Sequence, residues 1–283
     1  MIILESIEQL QTHLNGIRQK GKSIGFVPTM GNLHAGHIQL VKTAKKNADC
    51  VVVSLFVNPT QFGANEDLAS YPRTLQDDID KLQAVNTDVL FTPNNEMIYP
   101  RGGENTSYVH VPELTSLHCG AARPGHFDGV TTVVTKLFNM TQPNIAVFGE
   151  KDFQQLAVIR RMVADLNIPI KIIGEPIVRE ADGLAMSSRN GYLNTEQRRL
   201  APQLQQVLIN TKQEILAGNR EYSNLQEQAK NKLLNQGFKP DYFTICQADS
   251  LAEANTSDTQ LVILAAAFIG TTRLIDNLTV NIK

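Results

Sequence analysis

The chain has 283 residues, which at roughly 150 residues per domain suggests two domains. Hydrophobic residues make up 42% and charged residues 19% of it, a composition that excludes a disordered or fibrous protein. The 26 basic and 28 acidic side chains give a net charge of −2, which argues against a broad nucleic-acid-binding surface.

The sequence shows no membrane span, signal peptide or disulfide pattern, which favours the cytoplasm. The longest apolar stretches, 51–57 and 261–269, are too short to span a bilayer, and the amino terminus has no basic start of a signal peptide. Cys50, Cys119 and Cys246 are scattered and odd in number, which argues against a disulfide framework. We therefore predict a cytoplasmic protein with no membrane or nucleic-acid partner and with three free, buried thiols.

Helices and strands alternate through the first part of the chain. A capping box of Ser6 and Gln9 predicts a helix that runs to Lys20. The following elements are predicted to be a strand at 23–27, a helix from 36 to about 48, a strand at 50–57, a helix at 74–85, a strand at 88–91, a helix at 129–141, a strand at 145–148 and a helix at 153–166. This alternation predicts an α/β fold with a Rossmann-like parallel sheet, which binds ligands at the carboxyl ends of its strands.

The pattern changes near residue 174. A loop-rich stretch is followed by two helices, at about 195–216 and 222–236, and by strands at 241–247 and 261–268. We predict a Rossmann-like domain at 1–175 and a smaller α+β domain at 176–283. From residue 176 onward there are 11 basic and 11 acidic side chains, a balance that argues against a tRNA-binding appendage.

Residues 16–23, GIRQKGKS, match the pattern of a phosphate-binding P-loop. A P-loop needs a strand before it and a helix after it, so that backbone N–H groups at the helix start face the phosphates. Here a helix precedes and a strand follows. We therefore interpret the string as the end of a helix, with Gly21 in the carboxyl-terminal cap.

The string PTMGNLHAGH at 28–37 lies between a predicted strand and a predicted helix. Gly31 and Gly36 allow the backbone to approach a ligand closely, and a helix start attracts anions. His34 and His37 share a face of the first helical turn, where both imidazoles can donate to the oxygens of a transferring phosphoryl group. Half of a zinc site, without a third ligand at useful spacing, and a purely structural pair are the alternatives.

Further polar strings follow predicted strands. Asn58 and Gln61 come after the strand at 50–57, and Gly149–Asp152 (GEKD) lies between a strand and a helix. Met186–Arg189 (MSSR) offers two hydroxyls and a guanidinium that can surround pyrophosphate. The alternatives are a solvated ion pair for Lys151 with Asp152 and a plain turn for the serines.

Asp77 and Asp78 form a carboxylate pair near the start of a predicted helix. Such a pair can hold Mg²⁺, directly or through water, or it can simply complement the positive end of the helix dipole. Both interpretations stay open.

Seven strings in order carry a resemblance to a known family. They are Phe26–Gly31 (FVPTMG), Leu55–Phe62 (LFVNPTQF), Tyr71–Thr74 (YPRT), Arg123–Val130 (RPGHFDGV), Gly149–Gln155 (GEKDFQQ), Arg179–Asn190 (READGLAMSSRN) and Gly270–Asn277 (GTTRLIDN). The histidine string at 28–37 resembles the HIGH motif of the nucleotidyltransferase superfamily, and 186–189 resembles its KMSKS loop. Together, and over nearly the whole chain, the strings resemble the pantoate–β-alanine ligase (pantothenate synthetase) family.

The resemblance implies a two-step reaction. The carboxylate of pantoate attacks the α-phosphorus of ATP and gives pantoyl adenylate and pyrophosphate. The amine of β-alanine then attacks the acyl carbon, and AMP leaves. The family also implies Mg²⁺ with ATP and a homodimer. It further implies that domain 1–175 binds the nucleotide and pantoate, and that domain 176–283 is a lid that contains the MSSR segment.

The resemblance further implies roles for individual residues. His37, His34 and Lys151 are expected in catalysis, with His37 as a general acid or an electrostatic donor. The residues expected to bind ATP are Met30, Gly31, Asn32, Leu33, His34, Ala35, Gly36, His37, Gly149, Glu150, Lys151, Asp152, Val178, Met186, Ser187, Ser188 and Arg189. Gln61 and Gln155 are expected to bind pantoate, with Asn58 and Phe62 completing the substrate pocket and Asp77 and Asp78 as the candidate Mg²⁺ ligands. Arg123 and His126, in a Pro/Gly loop, are expected to add phosphate contacts.

Two other functions remain open on the sequence. An adenylyltransferase of the same fold would need a more basic acceptor pocket than Asn58, Gln61 and Gln155 provide. A non-catalytic ATP-binding module would be expected to lack one of the two phosphate loops, and both are present.

Overall fold

The computed structural model describes residues 1–64 and 66–282, which form two compact units. The first unit contains residues 1–116, 123–150 and 155–176, and the second contains 117–122, 151–154 and the chain from 177 onward. Two short segments from the first part of the sequence, 117–122 and 151–154, therefore belong to the second unit.

The first unit is built on a six-stranded parallel sheet, as the alternation of elements predicted. Its strands are β1 (Ile2–Leu4), β2 (Ile24–Thr29), β3 (Cys50–Leu55), β4 (Val89–Phe91), β5 (Ile145–Gly149) and β6 (Lys171–Glu175), in the order β1-β4-β3-β2-β5-β6. The order reverses at β2, which has β3 on one side and β5 on the other. Such a reversal opens a crevice at the carboxyl ends of the strands, where sheets of this kind bind ligands.

Helices alternate with the strands of this sheet up to residue 165. They are α1 (Ile7–Gln19), α2 (Ala35–Asn47), α3 (Leu75–Ala84), α4 (Asn95–Ile98), α5 (His118–Ala122), α6 (His126–Thr141) and α7 (Phe153–Asp165), of which α5 and the start of α7 belong to the second unit. Ser6 caps α1 by accepting the Gln9 N–H at 3.2 Å. The helix ends before Gly21, whose φ is +69°, and β2 follows, so the P-loop-like string is a helix end.

The core of the first unit lies between the central strands and α2. Val27, Val51, Val53 and Val147 on the strands are fully buried there. Because these strands are covered on both faces, they consist of nearly continuous apolar residues. The packing fixes where β2 and β3 end, and therefore where the loops after them begin.

The second unit is α+β, as predicted. It contains α8 (Thr195–Leu200), α9 (Gln203–Leu216), α10 (Tyr222–Asn235) and an antiparallel sheet of β7 (Lys239–Gln247), β8 (Gln260–Ile269) and β9 (Thr272–Asn281) in the order β7-β8-β9. The single helix predicted at 195–216 is two helices, because Pro202 has no N–H to continue the first one. Strand β9 was not predicted.

Cys50, Cys119 and Cys246 are free and buried, as predicted. Burial raises the pKa of the Cys50 and Cys246 thiols to about 11, so both stay protonated near neutral pH. Among the described helices, none combines the length and the apolar character needed to cross a membrane.

Candidate active site

The loop that follows β2 is held by side chains of α3. Gly31 and Asn32 have φ values of +86° and +49°. Residues other than glycine rarely adopt a positive φ, so the backbone at Asn32 needs stabilising contacts. The Asp78 carboxylate provides them by accepting the N–H of Asn32 at 2.8 Å and of Leu33 at 2.7 Å. Lys81 donates to the Leu33 carbonyl at 2.8 Å. The loop predicted to contact ATP is therefore preorganised by α3.

The predicted carboxylate pair has two different environments. Asp78 is 1% exposed and is hydrogen-bonded to the loop backbone, whereas Asp77 is exposed on the same helix. The two residues therefore do not form a symmetric pair of metal ligands. Within residues 1–64 and 66–282 there is also no cluster of three or more histidine, cysteine or acidic side chains that could hold a metal ion.

The two histidines of the motif cap α2. His34 is the N-cap residue and accepts the Gly36 N–H on its Nδ1 at 3.1 Å, and His37 Nδ1 accepts the His34 N–H at 3.3 Å. The ring centroids lie 4.1 Å apart. A neutral imidazole whose Nδ1 accepts a hydrogen bond carries its proton on Nε2. The capping box therefore makes both rings Nε2–H donors at the positive end of a helix.

The predicted pantoate residue Gln61 ends a 3₁₀ turn, Pro59–Gln61, that follows β3. Its Nε2 contacts the sulfur of Met30 at 3.3 Å, so the structure brings a predicted pantoate residue and a predicted ATP residue together. Phe62 follows and packs edge-on against Tyr71 at 5.8 Å between ring centroids, which leaves it as an apolar wall beside Gln61.

Asn58 has a different role from the predicted one. It is 1% exposed, and its amide donates to the Gln61 Oε1 at 3.0 Å and to the Gly129 carbonyl at 3.1 Å. Its oxygen accepts from Tyr99 at 2.7 Å and from Thr60 at 3.0 Å. Because an amide has two donor hydrogens and two acceptor positions, no capacity remains for a substrate. Asn58 orients Gln61 instead of binding the substrate itself.

Arg123 and His126 hold the backbone of Gln61 rather than standing in an open loop. His126 is the first residue of α6, and its Nδ1 donates to the Gln61 carbonyl at 2.7 Å. Its Nε2 then accepts from Arg123 at 2.9 Å. Arg123 also pairs with both oxygens of Glu66, at 2.5 and 2.6 Å. Burial raises the pKa of the Glu66 carboxyl, but Arg123, the Gly63 backbone and His126 together lower it by more, so the net pKa is lowered. The predicted phosphate contact is therefore replaced by this internal pairing.

Gly129 is required by the close approach of α6 to the Gln61 turn. A Cβ at this position would overlap the Thr60 carbonyl oxygen and would lie 2.7 Å from the Gln61 nitrogen. We expect Gly129→Ala to displace the turn, to raise the KM for pantoate and to destabilise the fold by about 1–3 kcal/mol. Steady-state kinetics and urea unfolding measure both effects.

Gly16→Ala is the matched control, because Gly16 also lies inside a helix but has no atom within 4 Å of the added Cβ. Helix propensity alone favours alanine at both positions by about 0.5–1 kcal/mol. Stabilisation by both substitutions, with normal kinetics, would contradict the steric argument.

The GEKD string is divided between the two units. Gly149 and Glu150 belong to the first unit, and Lys151 and Asp152 to the second. Lys151 Nζ lies 3.9 Å from the Asp152 carboxylate, and the Lys151 carbonyl accepts from Asn277 at 3.0 Å. The ion pair that was the alternative interpretation is therefore present.

Gln155, the second predicted pantoate residue, lies on α7 and is half-buried. Its side-chain amide makes no hydrogen bond to another residue in the described part of the chain. This contrasts with Asn58, whose amide is fully used. Gln155 therefore keeps the capacity to bind a hydroxyl or a carboxylate.

The MSSR segment follows a small hairpin in the second unit. Arg179 and Ala185 form an antiparallel bridge, and the Met186 N–H donates to the Val178 carbonyl at 3.0 Å. Ser187 then caps a 3₁₀ turn, Ser188–Tyr192, by accepting the Arg189 N–H at 3.3 Å. The hairpin thus places the predicted adenine residue Val178 beside the predicted pyrophosphate segment.

Comparison with known proteins decides the family. A family model described as Pantoate-beta-alanine ligase matches residues 2–279. The chain belongs to this family. Curated proteins described as pantothenate synthetase match it at full length: that of Marinobacter nauticus is 55% identical over 99% of this chain and 100% of its own, and that of Hahella chejuensis is 55% identical over 100% of both.

Solved structures agree with this assignment. Pantothenate synthetase from Thermus thermophilus has a TM-score of 0.92 and 42% identity, covering 98% of this chain and 99% of its own. A pantoate-beta-alanine ligase from Francisella tularensis, complexed with beta-gamma ATP and beta-alanine, has a TM-score of 0.82 and 40% identity, covering 98% and 97%. The chain is therefore a ligase of pantothenate biosynthesis, and the two competing functions are set aside.

Proposed function

We propose that this chain joins pantoate to β-alanine with ATP, through pantoyl adenylate, and releases AMP and pyrophosphate. One observation carries the proposed chemistry: the capping box of α2 fixes His34 and His37 as Nε2–H donors at a helix start. ATP and β-alanine as substrates are supported by the Francisella tularensis relative, which was crystallised with a form of ATP and β-alanine.

In the first step a pantoate carboxylate oxygen attacks the α-phosphorus, and the bond from that phosphorus to the bridging oxygen breaks. Negative charge grows on the phosphoryl oxygens, and the Nε2–H groups of His34 and His37 stabilise it. Lys151 adds a positive charge to the same phosphate. The departing pyrophosphate is held by the hydroxyls and guanidinium of the segment 186–189, where arginine gives bidentate contacts.

The remaining predicted residues bind rather than react. The backbone of 30–33, with Ala35 and Gly36, and the string 149–152 hold the nucleotide, and Val178 contacts adenine. Gln61 and Gln155 bind the hydroxyls and carboxylate of pantoate, with Phe62 against its methyl groups. In the second step the β-alanine amine attacks the acyl carbon, and the adenylate bond to AMP breaks.

Mg²⁺ is proposed to accompany ATP. Mg²⁺ keeps several waters and is commonly bound by one or two carboxylates together with substrate phosphates. Asp77 has an exposed carboxylate that fits this role, directly or through water, whereas Asp78 is buried and committed to the loop.

We also propose a cytoplasmic homodimer. Three buried free thiols support a reducing compartment. The dimer rests on the family resemblance. Sedimentation equilibrium is expected to give the mass of two chains, and the mass of one chain would contradict the dimer.

Oxygen labelling tests the adenylate route. With pantoate labelled with ¹⁸O in its carboxylate, the proposed attack transfers one labelled oxygen to the phosphate of AMP. Mass spectrometry of AMP is expected to show this oxygen. Unlabelled AMP would contradict the adenylate, and ADP in place of AMP would contradict the bond assignment.

Gln155→Ala is expected to weaken pantoate binding by about 1–3 kcal/mol, because it removes an amide that is free to bind the substrate. The KM for ATP should stay close to that of the wild type. Gln155→Glu keeps the shape but places a negative charge near the pantoate carboxylate, so its loss should be larger. An equal loss for ATP and pantoate would contradict the assignment of Gln155 to the pantoate pocket.

A further inference from the structure

Two adjacent polar residues of β9, Asp276 and Asn277, are each only 4% exposed. Neighbouring side chains of a strand point to opposite faces, so both faces of β9 bury a polar group at this position. Buried polar groups are costly unless they are hydrogen-bonded. The string 270–277 is one of those that resemble the family, but the reaction described above assigns it no role.

Asp276 anchors the hairpin that leads to the MSSR segment. Its two carboxylate oxygens accept from the Arg179 guanidinium at 2.7 and 2.9 Å. Arg179 also donates to the Gly183 carbonyl at 3.0 Å, across the hairpin turn. The side chains of this ion pair are 18% and 3% exposed, so solvent screens it weakly. The base of the hairpin is therefore fixed to β9.

Asn277 anchors the second phosphate-binding segment. Its Nδ2 donates to the backbone carbonyl of Lys151 at 3.0 Å. The backbone N–H of Asn277 donates to Asp276 Oδ1 at 2.7 Å, in addition to the two bonds from Arg179. Lys151, Arg179 and both anchors belong to the second unit, so one strand of this unit holds two separate segments of the chain.

We propose that Asp276 and Asn277 are positioning residues for the adenylation step. They keep Lys151 and the segment 186–189 at a fixed separation, at which both match the phosphates of one ATP molecule. The inference rests on the proposed function of these two segments. Neither anchor touches a substrate: Asp276 acts through Arg179, and Asn277 acts through the Lys151 backbone. A displacement of about 1 Å in such a constellation can cost about 100-fold in rate.

Asp276→Asn and Asn277→Ala test the proposal by pyrophosphate exchange into ATP in the presence of pantoate. Each variant is expected to lower kcat/KM for ATP by about ten- to 100-fold, while the KM for pantoate changes little. Where Asp276→Asn prevents folding, Arg179→Lys tests the same pair, since lysine keeps the charge but loses the bidentate geometry.

Asp241→Asn is the matched control. Asp241 forms an ion pair with Arg273 of β9 at 2.8 Å. Like the pair of Asp276 with Arg179, it is largely buried, with side chains 25% (Asp241) and 18% (Arg273) exposed. This pair joins β7 to β9 without contacting either phosphate segment. The control is expected to lose stability but to keep normal kinetics. The same fall in kcat/KM for ATP in Asp241→Asn would show a general effect of sheet stability and would overturn the proposal.

Double-mutant cycles separate the two anchors. In a Lys151→Ala background Asn277→Ala should add less than about twofold, whereas Asp276→Asn should keep its full effect. In an Arg189→Ala background we expect the opposite: Asp276→Asn should add less than about twofold, and Asn277→Ala should keep its full effect. Full effects of both Asp276→Asn and Asn277→Ala in both backgrounds would overturn the proposal. Normal kinetics of both anchor variants, measured beside an active wild type, would also overturn it. An inactive wild type would overturn the proposed function, and this inference with it.

Discussion

His37→Ala will lower pantoate-dependent exchange of pyrophosphate into ATP by at least about 100-fold. The imidazole is held with its proton on Nε2, because its Nδ1 accepts the His34 N–H. Alanine removes this donor from the phosphoryl group on which charge develops. The loss should appear in the chemical step, so the KM for ATP should change much less than kcat.

His37 also caps α2, and this second role needs its own control. Loss of a cap costs about 1 kcal/mol in stability. Gln197→Ala breaks the corresponding capping box of Asn194 at the start of α8 and should cost a similar amount with normal exchange kinetics. His37→Gln keeps an acceptor for the cap but cannot transfer a proton, so recovered activity would identify His37 as an electrostatic donor. Near-normal exchange in His37→Ala would remove it from the chemistry.

Asp78→Asn is expected to destabilise the fold by about 2–4 kcal/mol and to lower activity by at least about tenfold. The carboxylate accepts two backbone N–H groups in a site that is 1% exposed. Asparagine has only one oxygen, so it can accept one of these two N–H groups. Its NH₂ group would face the other N–H, which would lose its acceptor. Urea unfolding measures the stability, and the exchange assay measures the effect of the loop on ATP.

Asp77→Asn is the natural comparison, because Asp77 is the adjacent residue of the same helix and is exposed. It should change the free energy of unfolding by no more than about 0.5 kcal/mol. Equal destabilisation by the two substitutions would contradict the supporting role assigned to Asp78.

The strands of the parallel sheet could be predicted where burial shapes the sequence. The central strand β3 is a β-branched run covered on both faces, and its start was predicted at the correct residue. Edge strands lack this pattern: β1 has three residues, and β6 is half-exposed. In β9 the adjacent Asp276 and Asn277 interrupt the alternation that marks a strand, so it was missed.

The candidate site could be predicted as a set of loops but not as a network. The loops follow from Gly-rich and His-rich strings at the ends of strands. Their support does not, because the partner of the Asn32 N–H lies 46 residues away and a partner of Asn58 lies 71 residues away. Asp77 and Asp78 are the same residue type, and only the packing of α3 gives them different roles. Buried polar residues of this kind carry no local pattern.

The central claim is tested most directly by a single incubation with Mg²⁺-ATP and labelled pyrophosphate. Pantoate alone should bring label into ATP, and sustained AMP release should begin only when β-alanine is added. This result requires a reversible adenylate formed before the amine reacts. Label that enters ATP without pantoate, or release of ADP instead of AMP, would contradict the account.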